Sequence, residues 1–120
     1  RGLDEVLDEA LQIATDGCDA VFLSIDVDVV DPGSAPGTGT PEPGGLSSRQ
    51  LLDAVRRLSM EAPIVGIDVV EVSPPYDSAE ITAYLANRVV LECLSGIAWR
   101  RRGELGSARR SPDAPLLEGR

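Results

Sequence analysis

Apolar residues recur at helical spacing from the start of the chain. Leu3, Val6, Leu7, Ala10, Leu11 and Ala14 share one side, with Asp4, Glu5, Asp8 and Glu9 opposite. That spacing predicts an amphipathic helix over residues 3–16, and Gly17 is a natural stop for it. Residues 20–25 then form a nearly continuous apolar run. A strand buried on both faces of a parallel sheet has this pattern.

Residues 28–46 carry Pro32, Gly33, Pro36, Gly37, Gly39, Pro41, Pro43, Gly44 and Gly45. No regular element survives that density, and a loop of this length is usually functional. Ser47 and Gln50 make a capping-box pattern ahead of Leu51, Leu52, Val55 and Leu58, which predicts a second helix. Pro63 ends it, and residues 64–70 read as a second buried-type strand. After Ser73-Pro74-Pro75-Tyr76, Asp77 and Glu80 form an Asp-x-x-Glu cap for a third helix. Ile81, Tyr84, Leu85, Val89, Leu94 and Ile97 lie broadly on one side of it. The folded part is expected over residues 1–98, with 99–120 a disordered Arg-rich tail.

Helices alternating with strands imply right-handed crossovers and a parallel sheet with helices on both faces. The predicted fold class is therefore α/β, a three-layer α/β/α architecture. Only an αβαβα portion is present, because two strands are too few to complete such a sheet.

Charge and composition narrow the chemistry. The chain has 120 residues, 11 basic and 20 acidic groups, a net charge of −9 and no histidine. Histidine-based acid–base, nucleophilic and metal-ligand systems are thereby excluded within these residues. The acidity argues against nucleic acid as a partner and favours cationic substrates or divalent metals. No apolar run approaches the length of a membrane span, and no signal-peptide pattern opens the chain, so a cytoplasmic location is expected. Cys18 and Cys93 are expected to be buried free thiols.

Ligand sites in open α/β sheets lie at the carboxyl ends of the strands. Asp26 and Asp28 follow the first strand there, and Glu71 follows the second. If residues 26–28 are extended, both Asp side chains point the same way, and they repel unless a cation sits between them. Hard oxygen ligands suit Mg, Ca or Mn. An EF-hand register fails, since Asp31 falls where Gly is needed and Gly37 where Glu is needed. A phosphate cradle fails as well, since the chain has no Lys and no helix follows Gly37-Thr38-Gly39. Glu42 reads as a solvated loop charge, and Asp68 as a satisfied structural carboxylate.

Two blocks carry a family resemblance. The first is Ser24-Ile25-Asp26-Val27-Asp28, continuing through Asp31-Pro32 and residues 35–42 to Gly44-Gly45-Leu46. The second is Glu71-Val72-Ser73-Pro74-Pro75-Tyr76-Asp77. Together they resemble the arginase/agmatinase ureohydrolase family, its agmatinase and guanidinobutyrase branch in particular. The likeness covers about residues 1–98 and is to the C-terminal part of the family's fold.

The resemblance implies a manganese-dependent hydrolase that releases urea and an amine from a small guanidino substrate such as agmatine or guanidinobutyrate. Two Mn²⁺ ions serve each complete site. Asp26 would bridge them and Asp28 would bind one. Glu71 would pair with the substrate guanidinium, and Thr40 would line the pocket. The metals would lower the pKa of a bridging water. The family's further ligands, His and Asp residues, have no counterpart here, so the isolated chain is expected to be inactive. The resemblance also implies a homo-oligomer for the complete protein, and the lack of a membrane-length apolar run predicts no membrane partner. The alternative reading is a non-catalytic remnant that serves as an interaction or scaffold module.

Overall fold

The computed structural model describes residues 1–108. Helix α1 spans Leu3–Thr15, strand β1 Val21–Asp26, helix α2 Ser48–Glu61, strand β2 Ile64–Val70 and helix α3 Ile81–Ala108. Short 3₁₀ turns follow each strand, at Val27–Val29 and Pro74–Tyr76.

The strands pair in parallel, with Leu23 opposite Ile67 and Ile25 opposite Val69. Those four side chains face a core built from Leu51, Leu52 and Val55 of α2 and Leu85, Val89 and Cys93 of α3. Each fully buried Leu or Val there contributes about 1.5–3 kcal/mol. Side chains alternate across a strand, so Phe22, Ser24, Asp26, Gly66, Asp68 and Val70 lie on the opposite face. Phe22, Ser24 and Asp68 are exposed there. Helices α2 and α3 pack on the other face, that of Leu23, Ile25, Ile67 and Val69. The expected burial of both strands on both faces does not occur, and Asp68 is a solvated side chain rather than an enclosed structural one.

Helix α2 starts as its sequence pattern predicts. Ser47 Oγ accepts from the Gln50 N–H, and Gln50 Oε1 accepts from the Ser47 N–H. Helix α3 starts differently. Ala79 and Glu80 adopt left-handed backbone (φ 51° and 58°), so the helix begins at Ile81 and Glu80 lies outside it. Asp77 still caps it, accepting from the N–H groups of Thr82 and Ala83. The buried stripe of α3 is Thr82, Leu85, Val89, Cys93 and Gly96, whereas Ile81, Tyr84 and Leu94 are exposed. On α1 only Leu7 is buried; Val6, Ala10 and Ala14 are exposed, because that helix packs mainly along one edge of α2.

Two ionic features join the helices. Glu92 of α3 is buried and pairs with Arg56 of α2 and with Arg88 one turn earlier. Arg57 of α2 binds Asp4, Asp8 and Glu61, tying α1 to α2. Gly96 allows close approach at the α2–α3 crossing, since a Cβ there would lie 2.6 Å from that of Ser59. Helix α3 runs to Ala108, past the boundary at 98 read from the sequence. The expected tail from 109 to 120 lies outside the described residues. Residues 81–103 are long and apolar enough to cross a membrane by composition, contrary to the sequence reading. In the fold this helix carries the Leu85, Val89 and Cys93 core contacts.

Cys93 is buried, with Ser59 donating to its sulfur at 3.2 Å, but Cys18 is exposed. The correction at Cys18 follows from its place in the turn between α1 and β1, where Gly17 takes φ 67°.

Candidate functional site

The site is built from the two segments that leave the carboxyl ends of the strands. The first is not a structureless loop. Asp31 anchors it at both ends, with Oδ1 accepting from the Gly33 N–H at 2.8 Å and Oδ2 from the Gly44 N–H at 3.0 Å. Those amides, that of Gly44 foremost, hold the Asp31 carboxyl below the ordinary range. The Leu46 N–H donates to the Val29 carbonyl at 2.8 Å, and the Asp31 N–H donates to the Leu46 carbonyl at 2.9 Å. Gly45 is needed at this closure, since a Cβ would lie 2.6 Å from the Val29 oxygen. Val30, Ala35 and Thr38 are buried as a result. The anchoring role of Asp31 was missed from sequence, although Asp31-Pro32-Gly33 is a turn pattern whose side chain bonds its own backbone.

Asp26 ends β1, and the chain then enters a 3₁₀ turn rather than continuing extended. Asp26 Oδ1 caps that turn by accepting from the Asp28 N–H at 3.1 Å. The extended geometry expected for residues 26–28 is therefore replaced by a turn, because a capping carboxylate favours it. Asp28 Oδ2 in turn accepts from the Thr40 hydroxyl at 2.9 Å, twelve residues away. Asp26, Asp28 and Thr40 are thus linked by hydrogen bonds. Glu42 stands exposed two residues beyond Thr40.

Glu71 lies at the end of β2, in left-handed backbone at φ 64°. Such a conformation is costly for a non-glycine residue and must be held by its surroundings. Two residues on, the Ser73 N–H donates to the Gly37 carbonyl at 2.7 Å. The Gly37 N–H donates to Thr82 Oγ1 at 2.8 Å in a buried contact. The Glu71 segment is therefore joined to the Thr40 segment through Gly37. The side chain of Glu71 is exposed.

The donors Asp26 and Asp28 are hard oxygen ligands, the right kind for a divalent ion such as Mn²⁺. Their number is short. No group of three or more His, Cys, Asp or Glu residues is placed to hold a metal among the described residues. Octahedral coordination takes about six donors, so this chain offers part of a metal site rather than a closed one.

A model of the Arginase family matches residues 1–96. The agmatinase of Salmonella newport is 49% identical over 94 residues, covering 78% of this chain and 30% of that protein. Formimidoylglutamase from Bacillus subtilis superposes with a TM-score of 0.76 at 37% identity, over 81% of this chain and 30% of that one. A hypothetical agmatinase from Burkholderia thailandensis gives 0.73 at 43% identity, over 87% and 32%. The chain thus spans about a third of the length of the relatives it matches.

Proposed function

The chain belongs to the arginase family, and from that premise we propose that it forms part of an agmatinase-like, Mn²⁺-dependent hydrolase of small guanidino compounds. The observation that carries this reading is the Thr40–Asp28 bond. It draws the Gly-rich segment onto the Asp-x-Asp end of β1, next to the segment that presents Glu71.

The residues then divide the work. Asp26 and Asp28 contribute carboxylate ligands to the metal side. Asp26 and Asp28 would both hold the metal when it is bound, and Thr40 holds Asp28 in one orientation. Glu71 receives the guanidinium, since carboxylate and guanidinium form a charge-assisted, often bidentate pair. When bound, Mn²⁺ supplies a water acidic enough to act as hydroxide near neutral pH. The further ligands come from residues outside these 120. Agmatine and guanidinobutyrate are the substrates of this reading, with urea and an amine as products. A homo-oligomeric complete protein in the cytoplasm belongs to the same reading.

The test uses two proteins. The isolated chain with excess Mn²⁺ and agmatine is expected to release no urea. A chimera in which residues 1–96 replace the matched third of the Salmonella agmatinase is expected to release it, and to stop on Glu71→Gln. A folded, Mn²⁺-binding chimera without urea release would overturn the proposal. So would substantial release by the isolated chain, for the partial-site part of it. A second reading, a non-catalytic interaction module, is favoured by the exposure of Phe22 and Val65. It requires a defined oligomer in sedimentation together with an inactive chimera.

A further inference from the structure

We propose that Thr82 is a positioning residue. Its hydroxyl, acting through the peptide of Gly37, fixes the Thr40-bearing segment against the segment that carries Glu71. Treating those two ends as one substrate site rests on the hydrolase reading above; the clasp itself does not.

Gly37 is gripped on three sides. Its N–H donates to Thr82 Oγ1 at 2.8 Å. Its carbonyl accepts from the Ser73 N–H at 2.7 Å. A Cβ on Gly37 would lie 2.7 Å from Cβ and Cγ of Asp77 and 2.9 Å from Thr82 Oγ1, so only glycine seats there without displacement. Thr82 is fully buried. Its backbone N–H donates to the Asp77 carboxylate at 3.1 Å, which also accepts from the N–H groups of Ser78 and Ala83. Asp77 therefore seats Thr82 by its amide, and the Thr82 hydroxyl seats Gly37.

The clasp lies between the two ends that matter. Thr40, bonded to Asp28, is three residues after Gly37. Glu71 is two residues before Ser73, and its left-handed backbone has to be held by something other than its own preference. The separation between the Asp28 end and Glu71 is set through this buried peptide. Small displacements there matter, because about 1 Å of misplacement costs roughly 100-fold in rate in positioned reactions. Thr82 touches neither Asp26, Asp28 nor Glu71 in any bond described above, so it acts on the site through Gly37.

The test is amide hydrogen exchange on the 120-residue chain, followed residue by residue by NMR. In Thr82→Val, which removes the hydroxyl and nearly keeps the shape, the Gly37 and Ser73 amides are both expected to exchange at least about tenfold faster. The Ala62 and Leu46 amides, bonded to Leu58 and Val29, are expected to stay within about twofold. Thr82→Ser, which keeps the hydroxyl, is expected to restore both clasp amides. Gly37→Ala is expected to unprotect Ser73 as Thr82→Val does. Retained protection of Ser73 in Thr82→Val overturns the proposal, as does loss spread equally to Ala62 or failure of Thr82→Ser to restore. Unprotected Gly37 and Ser73 amides in the unaltered chain overturn it directly. The experiment needs neither metal nor substrate, so its failure is separable from an inactive chimera.

Discussion

Thr40 donates its hydroxyl hydrogen to Asp28 Oδ2 at 2.9 Å, joining the tip of a Gly-rich segment to the turn that ends β1. Outer partners of this kind orient a metal-binding carboxylate, and losing one typically costs about 10- to 100-fold in affinity. Thr40→Val is therefore expected to weaken Mn²⁺ binding to the chimera by roughly tenfold. Thr40→Ser should stay near the unaltered value. Titration followed by electron paramagnetic resonance of unbound Mn²⁺ checks this. Equal affinity in the unaltered and Val forms would mean that Asp28 needs no orienting bond.

Two glycines of the same segment should respond to substitution very differently. Gly45 faces the Val29 oxygen, the Asp31 nitrogen and the Val30 carbonyl carbon, all backbone atoms that cannot swing aside. Gly45→Ala is expected to destabilise by about 1–3 kcal/mol, as overpacking does. Gly39 has open space around it, and Gly39→Ala should change stability by less than about 0.5 kcal/mol. Urea unfolding of the two variants measures the contrast.

Glu92 predicts the acid limb of stability. Burial pushes its carboxyl up, but the bonds from Arg88 and Arg56 outweigh burial and hold it below its ordinary 4.5. A carboxyl lowered in the folded state stabilises above its unfolded value. That contribution is lost as pH falls from 4.5 through the folded value. Asp77 adds the same sign from 3.8, its bonds from Thr82, Ala83 and Ser78 outweighing the effect of burial. Glu92→Gln should cost about 1–3 kcal/mol at neutral pH, less than a fully enclosed pair because both Arg partners reach solvent. It should also flatten the decline in melting temperature below pH 4.5. An unchanged acid limb would remove Glu92 from this account.

Phe22 and Val65 are large apolar side chains that are 62% and 74% exposed. Exposed apolar groups on a sheet promote association between chains. Phe22→Lys with Val65→Lys is expected to reduce self-association in sedimentation while moving the melting temperature by only a few degrees. A large fall in melting temperature instead would show that both side chains support the fold.

The order of elements was legible in the chain because each rests on a local rule. The Ser47–Gln50 box, the helical spacing of Leu51, Leu52 and Val55, and the Pro63 break are short-range, and α2 follows them. The strand-end placement of Asp26, Asp28 and Glu71 was legible for the same reason. It depends on where apolar runs stop.

What the tertiary structure decided is everything that spans many residues. Nothing local says that Thr82 meets Gly37, 45 positions away, or that Thr40 turns back onto Asp28. The turn at Asp26–Asp28 replaced an extended reading because a side-chain oxygen took the Asp28 amide. The bare face carrying Phe22 and Ser24 could not be read from β1 either. An apolar run records that a strand suits burial, and only the packing of α2 and α3 onto one side fixes which face is covered.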